Sequence, residues 1–62
     1  MDPNATLNEI RKMVAAYYMY VDSDDGYLCR ETALELCGKI EGLDQWISNG
    51  GFLPKDWEQS NF

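Results

Sequence analysis

Apolar residues recur along this chain in two stripes, each at alternating spacings of three and four. Leu7, Ile10, Val14, Tyr17 and Val21 form the first, and Ala33, Leu36, Ile40, Leu43 and Ile47 the second. Such spacing places each set on one face of an α-helix. Arg11 and Lys12 lie off the first stripe; Glu35, Lys39, Glu41, Asp44 and Gln45 lie largely off the second. The pattern predicts a helix over about residues 3–21, an acidic turn at 22–26, a helix over about 27–49 and a tail at 50–62. The helices would span about 27 and 35 Å at the usual rise per residue, a fair match for an antiparallel hairpin.

Local signals sharpen these boundaries. Asp2-Pro3 reads as an N-cap followed by proline in the first helical position. Thr6-Leu7-Asn8-Glu9 is a capping-box pattern that would start the helix one turn later. Tyr17-Tyr18-Met19-Tyr20-Val21 is also strand-forming material, yet a lone strand would leave backbone groups unpaired, so helix is the better reading. In the turn Asp22-Ser23-Asp24-Asp25-Gly26, Asp24 or Asp25 can cap the second helix, and Glu31 is placed to favour its positive end. Gly38 and Gly42 share a side of the second helix, each costing roughly 0.8–1 kcal/mol relative to Ala. A neighbouring backbone can approach closely there; the alternatives are a long helix with weak points or two helices broken near Gly42, and a continuous helix is the reading taken.

Asn49-Gly50-Gly51 carries the residues that close a helix in the left-handed conformation. Pro54 cannot extend a helix and biases Leu53 toward extended geometry. A chain turning at Gly50-Gly51 can lay Phe52, Leu53 and Trp57 back over Leu43, Trp46 or Ile47, so the tail reads as a hydrophobic lid. Gln59 to Phe62 read as a frayed end. The run WISNGGFLPKDW, preceded by a leucine-spaced acidic helix, resembles the C-terminal signature of small uncharacterised proteins encoded by actinobacterial phages, mycobacteriophages in particular. Leu43, Asp44, Trp46, Ile47, Gly50, Gly51, Phe52, Leu53, Pro54 and Trp57 carry the resemblance, and the opening Asp2-Pro3-Asn4-Ala5 is similar too. The resemblance implies an origin, with action in the bacterial host cytoplasm, and no mechanism.

Size changes the picture next. A single domain of 62 residues buries only about 60% of its unfolded surface. Apolar burial worth about 90 kcal/mol meets an ordering cost of about the same size. A second copy or a partner would tip that balance. Eleven acidic against five basic residues give a net charge of −6, which disfavours nucleic acid and anionic membranes as direct ligands. The longest apolar run, Met13 to Val21, is too short to span a bilayer. Cys29 and Cys37, on one helix, would lie about 12 Å apart, too far for a disulfide within the chain. A reduced, cytoplasmic setting follows, with an intermolecular disulfide as the alternative.

Candidate chemistry is sparse. An EF-hand loop needs oxygen ligands at positions one, three and five, Gly at six and a carboxylate at twelve. With Gly26 at six, Val21 falls at one and Thr32 at twelve; with Asp22 at one, Gly26 falls at five and Ala33 at twelve. Both registers fail. The chain has no histidine, which excludes a triad with a histidine base. Two cysteines and carboxylates make a poor zinc set. Glu31 with Glu35, or Glu41 with Asp44, sit at exposed helical spacings with no pocket to perturb them. No cofactor and no enzymatic activity are expected.

Aromatics make up 13% of the chain. Tyr17, Trp46, Phe52 and Trp57 read as core, while Tyr18 and Tyr20 lie off the stripe and read as a partner-contact surface. The expectation is an all-α antiparallel helical hairpin with the aromatic tail folded back. Its packing residues are Leu36, Ile40, Leu43, Trp46, Ile47, Phe52, Leu53 and Trp57, and two hairpins would pair into a four-helix bundle. The expected role is a homodimeric, non-enzymatic phage accessory protein that binds a host or phage protein. The alternatives are an acidic nucleic-acid mimic that inhibits a DNA-binding host protein, and a structural virion component.

Overall fold

The computed structural model describes residues 1–58 and consists of two helices packed against each other. Helix α1 runs Pro3–Asp22 and helix α2 runs Gly26–Ser48, with a short 3-10 turn at Lys55–Trp57. Among the described residues there is no strand, and Tyr17–Val21 continues α1 as helix. The end read as frayed, Gln59 to Phe62, lies outside the described residues.

Of the two possible starts for α1, the earlier is used. The Asp2 carboxylate accepts from the backbone N–H groups of Asn4 at 3.0 Å and Ala5 at 3.3 Å. Pro3 occupies the first helical position, where no N–H is needed, and Thr6 lies inside the helix. The connection is tighter than the five residues expected: it is Ser23-Asp24-Asp25 alone. Asp25 N–H donates to the Tyr20 carbonyl at 3.0 Å and Asp24 N–H to the Val21 carbonyl at 3.0 Å. Those two bonds are a Schellman closure, with Asp24 in the left-handed position at φ 56°. Asp25 then opens α2, its carboxylate accepting from Leu28 N–H at 3.1 Å. Glu31 falls beyond the first turn of α2 and not in it, because the helix begins at Gly26.

Helix α2 is continuous through both of its central glycines. The expected close backbone approach is absent. A side chain added at Gly38 would meet nothing within 4 Å, and one at Gly42 would reach only the Met1 side chain at 3.5 Å.

The seam of α1 differs from the stripe read in the sequence. Ile10, Met13, Tyr17 and Tyr20 are half-buried, with Ala16 beside them, while Val14 and Val21 are exposed. Ile10-Met13-Tyr17-Tyr20 is itself a three-four-three stripe overlapping the first, and a helical wheel cannot say which of two neighbouring stripes faces inward. On α2, Leu36, Trp46 and Ile47 are half-buried and Leu43 is buried. Ile40 sits on the flank and is 49% exposed, a correction to its assignment as core. Only Leu7 and Leu43 are buried hydrophobic side chains among the described residues, joined by Pro3 and Pro54.

Candidate interaction surface

The C-terminus of α2 sets the geometry of the tail. Gly51 N–H donates to the Trp46 carbonyl at 2.8 Å and Gly50 N–H to the Ile47 carbonyl at 3.1 Å. This second Schellman closure puts Gly50 at φ 92°, where glycine carries no side-chain penalty. The Trp46 indole lies directly over Gly51 and donates its N–H to the Phe52 carbonyl at 3.0 Å. The Trp46 and Phe52 rings meet edge to face, 5.6 Å apart at 85°, a favoured aromatic geometry.

Beyond Leu53 the chain turns toward α1. Pro54 is fully buried. Lys55 N–H donates to the Asn4 side-chain oxygen at 2.7 Å, and Arg11 pairs with Asp56 at 2.6 Å. The tail aromatics are less enclosed than expected: Phe52 is 58% exposed, and Leu53 and Trp57 are exposed as well. A two-helix layer has no third element to cover them, so the proline and the polar ties hold the segment and the rings remain open to solvent.

Two depressions result. A cleft of about 470 Å³ with a mixed lining is bounded by Asp2, Asn4, Ala5, Leu7, Asn8, Arg11, Lys55 and Asp56. A largely apolar groove of about 390 Å³ runs between the helices, lined by Leu7, Ile10, Ile40, Leu43, Asp44, Ile47 and Trp57. The groove gathers six of the apolar residues named from sequence for other reasons: Leu7 and Ile10 from the first stripe, and Ile40, Leu43, Ile47 and Trp57 from the packing set. Leu36, Trp46, Phe52 and Leu53 do not line it. Pro54 and Arg11 were the missed residues. The proline was legible only as a helix breaker, and Arg11–Asp56 joins residues 45 apart, a separation that leaves no local pattern.

The side carrying Glu9 and Lys39 is polar. Lys39 pairs with Glu9 across the helices at 2.8 Å. The hydrogen bond that Lys39 donates to Glu9, together with the negative charge of Glu9, holds the ammonium above the usual lysine pKa, with a smaller contribution from Glu35. Tyr18 is exposed and stacks edge-on with Tyr17, centroids 6.1 Å apart. Tyr20 is not free for contact in the way Tyr18 is, because it is half-buried on the face shared with Met13 and Ala16.

Chemical groups are spent within the fold or left scattered. Asp2 and Asp25 cap helices, and Glu9 and Asp56 sit in ion pairs. Cys29 is half-buried and Cys37 exposed, both as free thiols. Among the described residues no three His, Cys, Asp or Glu side chains gather where they could hold a metal ion, and no helix is long and apolar enough to cross a membrane. Comparison with family models, with curated proteins and with solved structures finds no match to this chain.

Proposed function

We propose that this chain is a non-catalytic interaction protein whose working surface is the apolar side of the hairpin, centred on the groove between Ile10 and Ile40. The observation that carries this reading is the groove itself. Its lining is almost wholly apolar, it lies open to water, and the hairpin has no further element to fill it. Exposed apolar surface of this kind marks protein contact in small soluble chains, and a tryptophan on its wall is the residue type that most often anchors such contacts.

Two hairpins laid face to face on this surface would complete a four-helix bundle, the architecture in which such faces are usually satisfied. The tail belongs to the same surface in this reading, since Trp57 forms part of the groove wall. The resemblance carried by WISNGGFLPKDW supports reading the protein as a small accessory protein of an actinobacterial phage, acting in the host cytoplasm on a host or phage protein. The exposed carboxylates of Glu31, Glu35 and Glu41 are then available at its outer faces, and Tyr18 borders the apolar side. A nucleic-acid mimic draws less support, because capping and ion pairing already use Asp2, Glu9, Asp25 and Asp56.

The test is capture from actinobacterial lysate by the tagged chain, run beside Ile40→Glu. A protein retained by the wild type and lost by the variant supports the reading. A retained protein that is indifferent to Ile40→Glu, and is released steeply by salt, would move the working surface to the carboxylates.

A further inference from the structure

We infer that the apolar side of the hairpin is covered by a second copy of this chain, related by a two-fold axis. This inference rests on the proposed reading of that side as a binding surface, and names its occupant. The surface is longer than the groove. Ile10 and Ile40 wall the groove together. Val14 and Val21 follow Ile10 one and three turns along the same side of α1, Tyr18 borders Val14, and Ala33 precedes Ile40 by two turns on α2.

Area is the first argument. Tyr18, Ile40, Val21, Trp57 and Val14 are 66, 49, 49, 42 and 37% exposed. Together these side chains present on the order of 500 Å² of mostly apolar surface, and the half-buried Ile10, Ala33 and Ile47 add to it, approaching the ~800 Å² per partner of a stable interface. Covering it would multiply the burial of a chain in which Leu7 and Leu43 are the buried hydrophobic side chains of the described residues.

Charge is the second. The chain carries −6, so two copies repel unless the shared face is neutral. It is nearly so: that side of α1 has no charged residue between Ile10 and Val21 other than Arg11, which Asp56 neutralises, and Asp44 is the single charged residue among those lining the groove. A self-complementary apolar face of this kind suits an isologous pair. Residual repulsion between the outer carboxylates is then screened by salt, so added salt tightens the pair.

The test is sedimentation equilibrium of the full chain over a wide concentration series, with Ile40→Glu and Leu34→Glu as variants. Leu34 is 64% exposed and lies about 120° around α2 from Ile40, off the apolar side. The expected result is a species of twice the 7.1 kDa chain mass that tightens with salt. Ile40→Glu should weaken it about a hundredfold or more, because its carboxylate would be desolvated at the centre of the face; Leu34→Glu should leave it unchanged. If Ile40→Glu loses its helical circular dichroism, Val14→Lys on the facing helix reads out the same surface. A wild type that stays monomeric throughout overturns the inference, as does Leu34→Glu dissociating the pair as strongly as Ile40→Glu. A monomer that still captures a lysate protein in an Ile40-dependent way overturns self-pairing alone. A monomer that captures nothing overturns both readings.

Discussion

The indole of Trp46 occupies the space in which a side chain at Gly51 would have to begin. The two adjacent glycines are therefore required for different reasons. Gly50 is needed for its backbone angle, and Gly51 for the absence of a Cβ. Gly51→Ala should push the indole off the Phe52 carbonyl and cost about 1–3 kcal/mol as an overpacked site. Gly50→Ala should cost about 1–2 kcal/mol through the left-handed conformation alone. Thermal melts measure both costs, and tryptophan fluorescence separates them: the emission should shift for Gly51→Ala and stay near wild type for Gly50→Ala.

Asp24 holds the same left-handed position at the end of α1 that Gly50 holds at the end of α2, but it carries a side chain. Asp24→Gly should relieve that conformational cost and raise stability by about 0.5–1 kcal/mol. Its carboxylate makes no hydrogen bond among the described residues, so the gain is offset only by the greater freedom of glycine in the unfolded chain. An unchanged or lowered melting temperature would mean that the turn favours Asp for a reason other than backbone geometry.

The tail should depend on Pro54 more than on its aromatic rings. Pro54 is fully buried and Phe52 largely exposed, so Pro54→Ser should destabilise by about 1–3 kcal/mol and Phe52→Ala by less. Arg11→Gln removes a partner from an ion pair whose side chains are more than half exposed, a class usually worth ~0–1 kcal/mol. Denaturant melts at one fixed chain concentration rank the three. Phe52→Ala proving the most damaging would restore the aromatic rings as the main tie.

Lys39 supplies a pH signature. Its pKa in the folded chain is raised by Glu9, so its contribution to stability is fully present below the ordinary lysine value and is lost as pH climbs through the raised one. Stability should therefore fall in the alkaline range above about 10.4, the unperturbed lysine pKa, and Lys39→Met should flatten that fall. A wild type and a Lys39→Met variant losing stability in parallel across this range would show that other groups control it. The comparison of the two curves carries the result.

Much of the fold was legible because its signals are local. The Asp2-Pro3 start, the Asp25 cap and the Asn49-Gly50-Gly51 stop each act within four or five residues, and each is found close to where the sequence put it. What escaped was the rotation of the helices about their own axes. Val14 and Met13 are adjacent and both apolar, so two overlapping stripes compete for the seam of α1, and contact with α2 chose the one through Met13 and Tyr20. The same ambiguity moved Ile40 from core to flank. Tail contacts such as Asn4 with Lys55 join residues 51 apart, which no periodicity can announce. Ile10, Ile40 and Trp57 were each visible as apolar, but their meeting in one groove depends on those contacts.

The three-residue turn has a kinetic consequence. Because Asp25 finishes the closure of α1 and begins α2, the helices are joined with no slack, and their first contacts lie only a few residues apart along the chain. Pairing that grows outward from such a short link is rapid, since little loop entropy is lost before contacts form. The tail docks at the far end, where its ties bridge almost the whole chain. The groove wall contributed by Trp57 is therefore the last part of the hairpin to assemble, and in hydrogen exchange it should be the first to open.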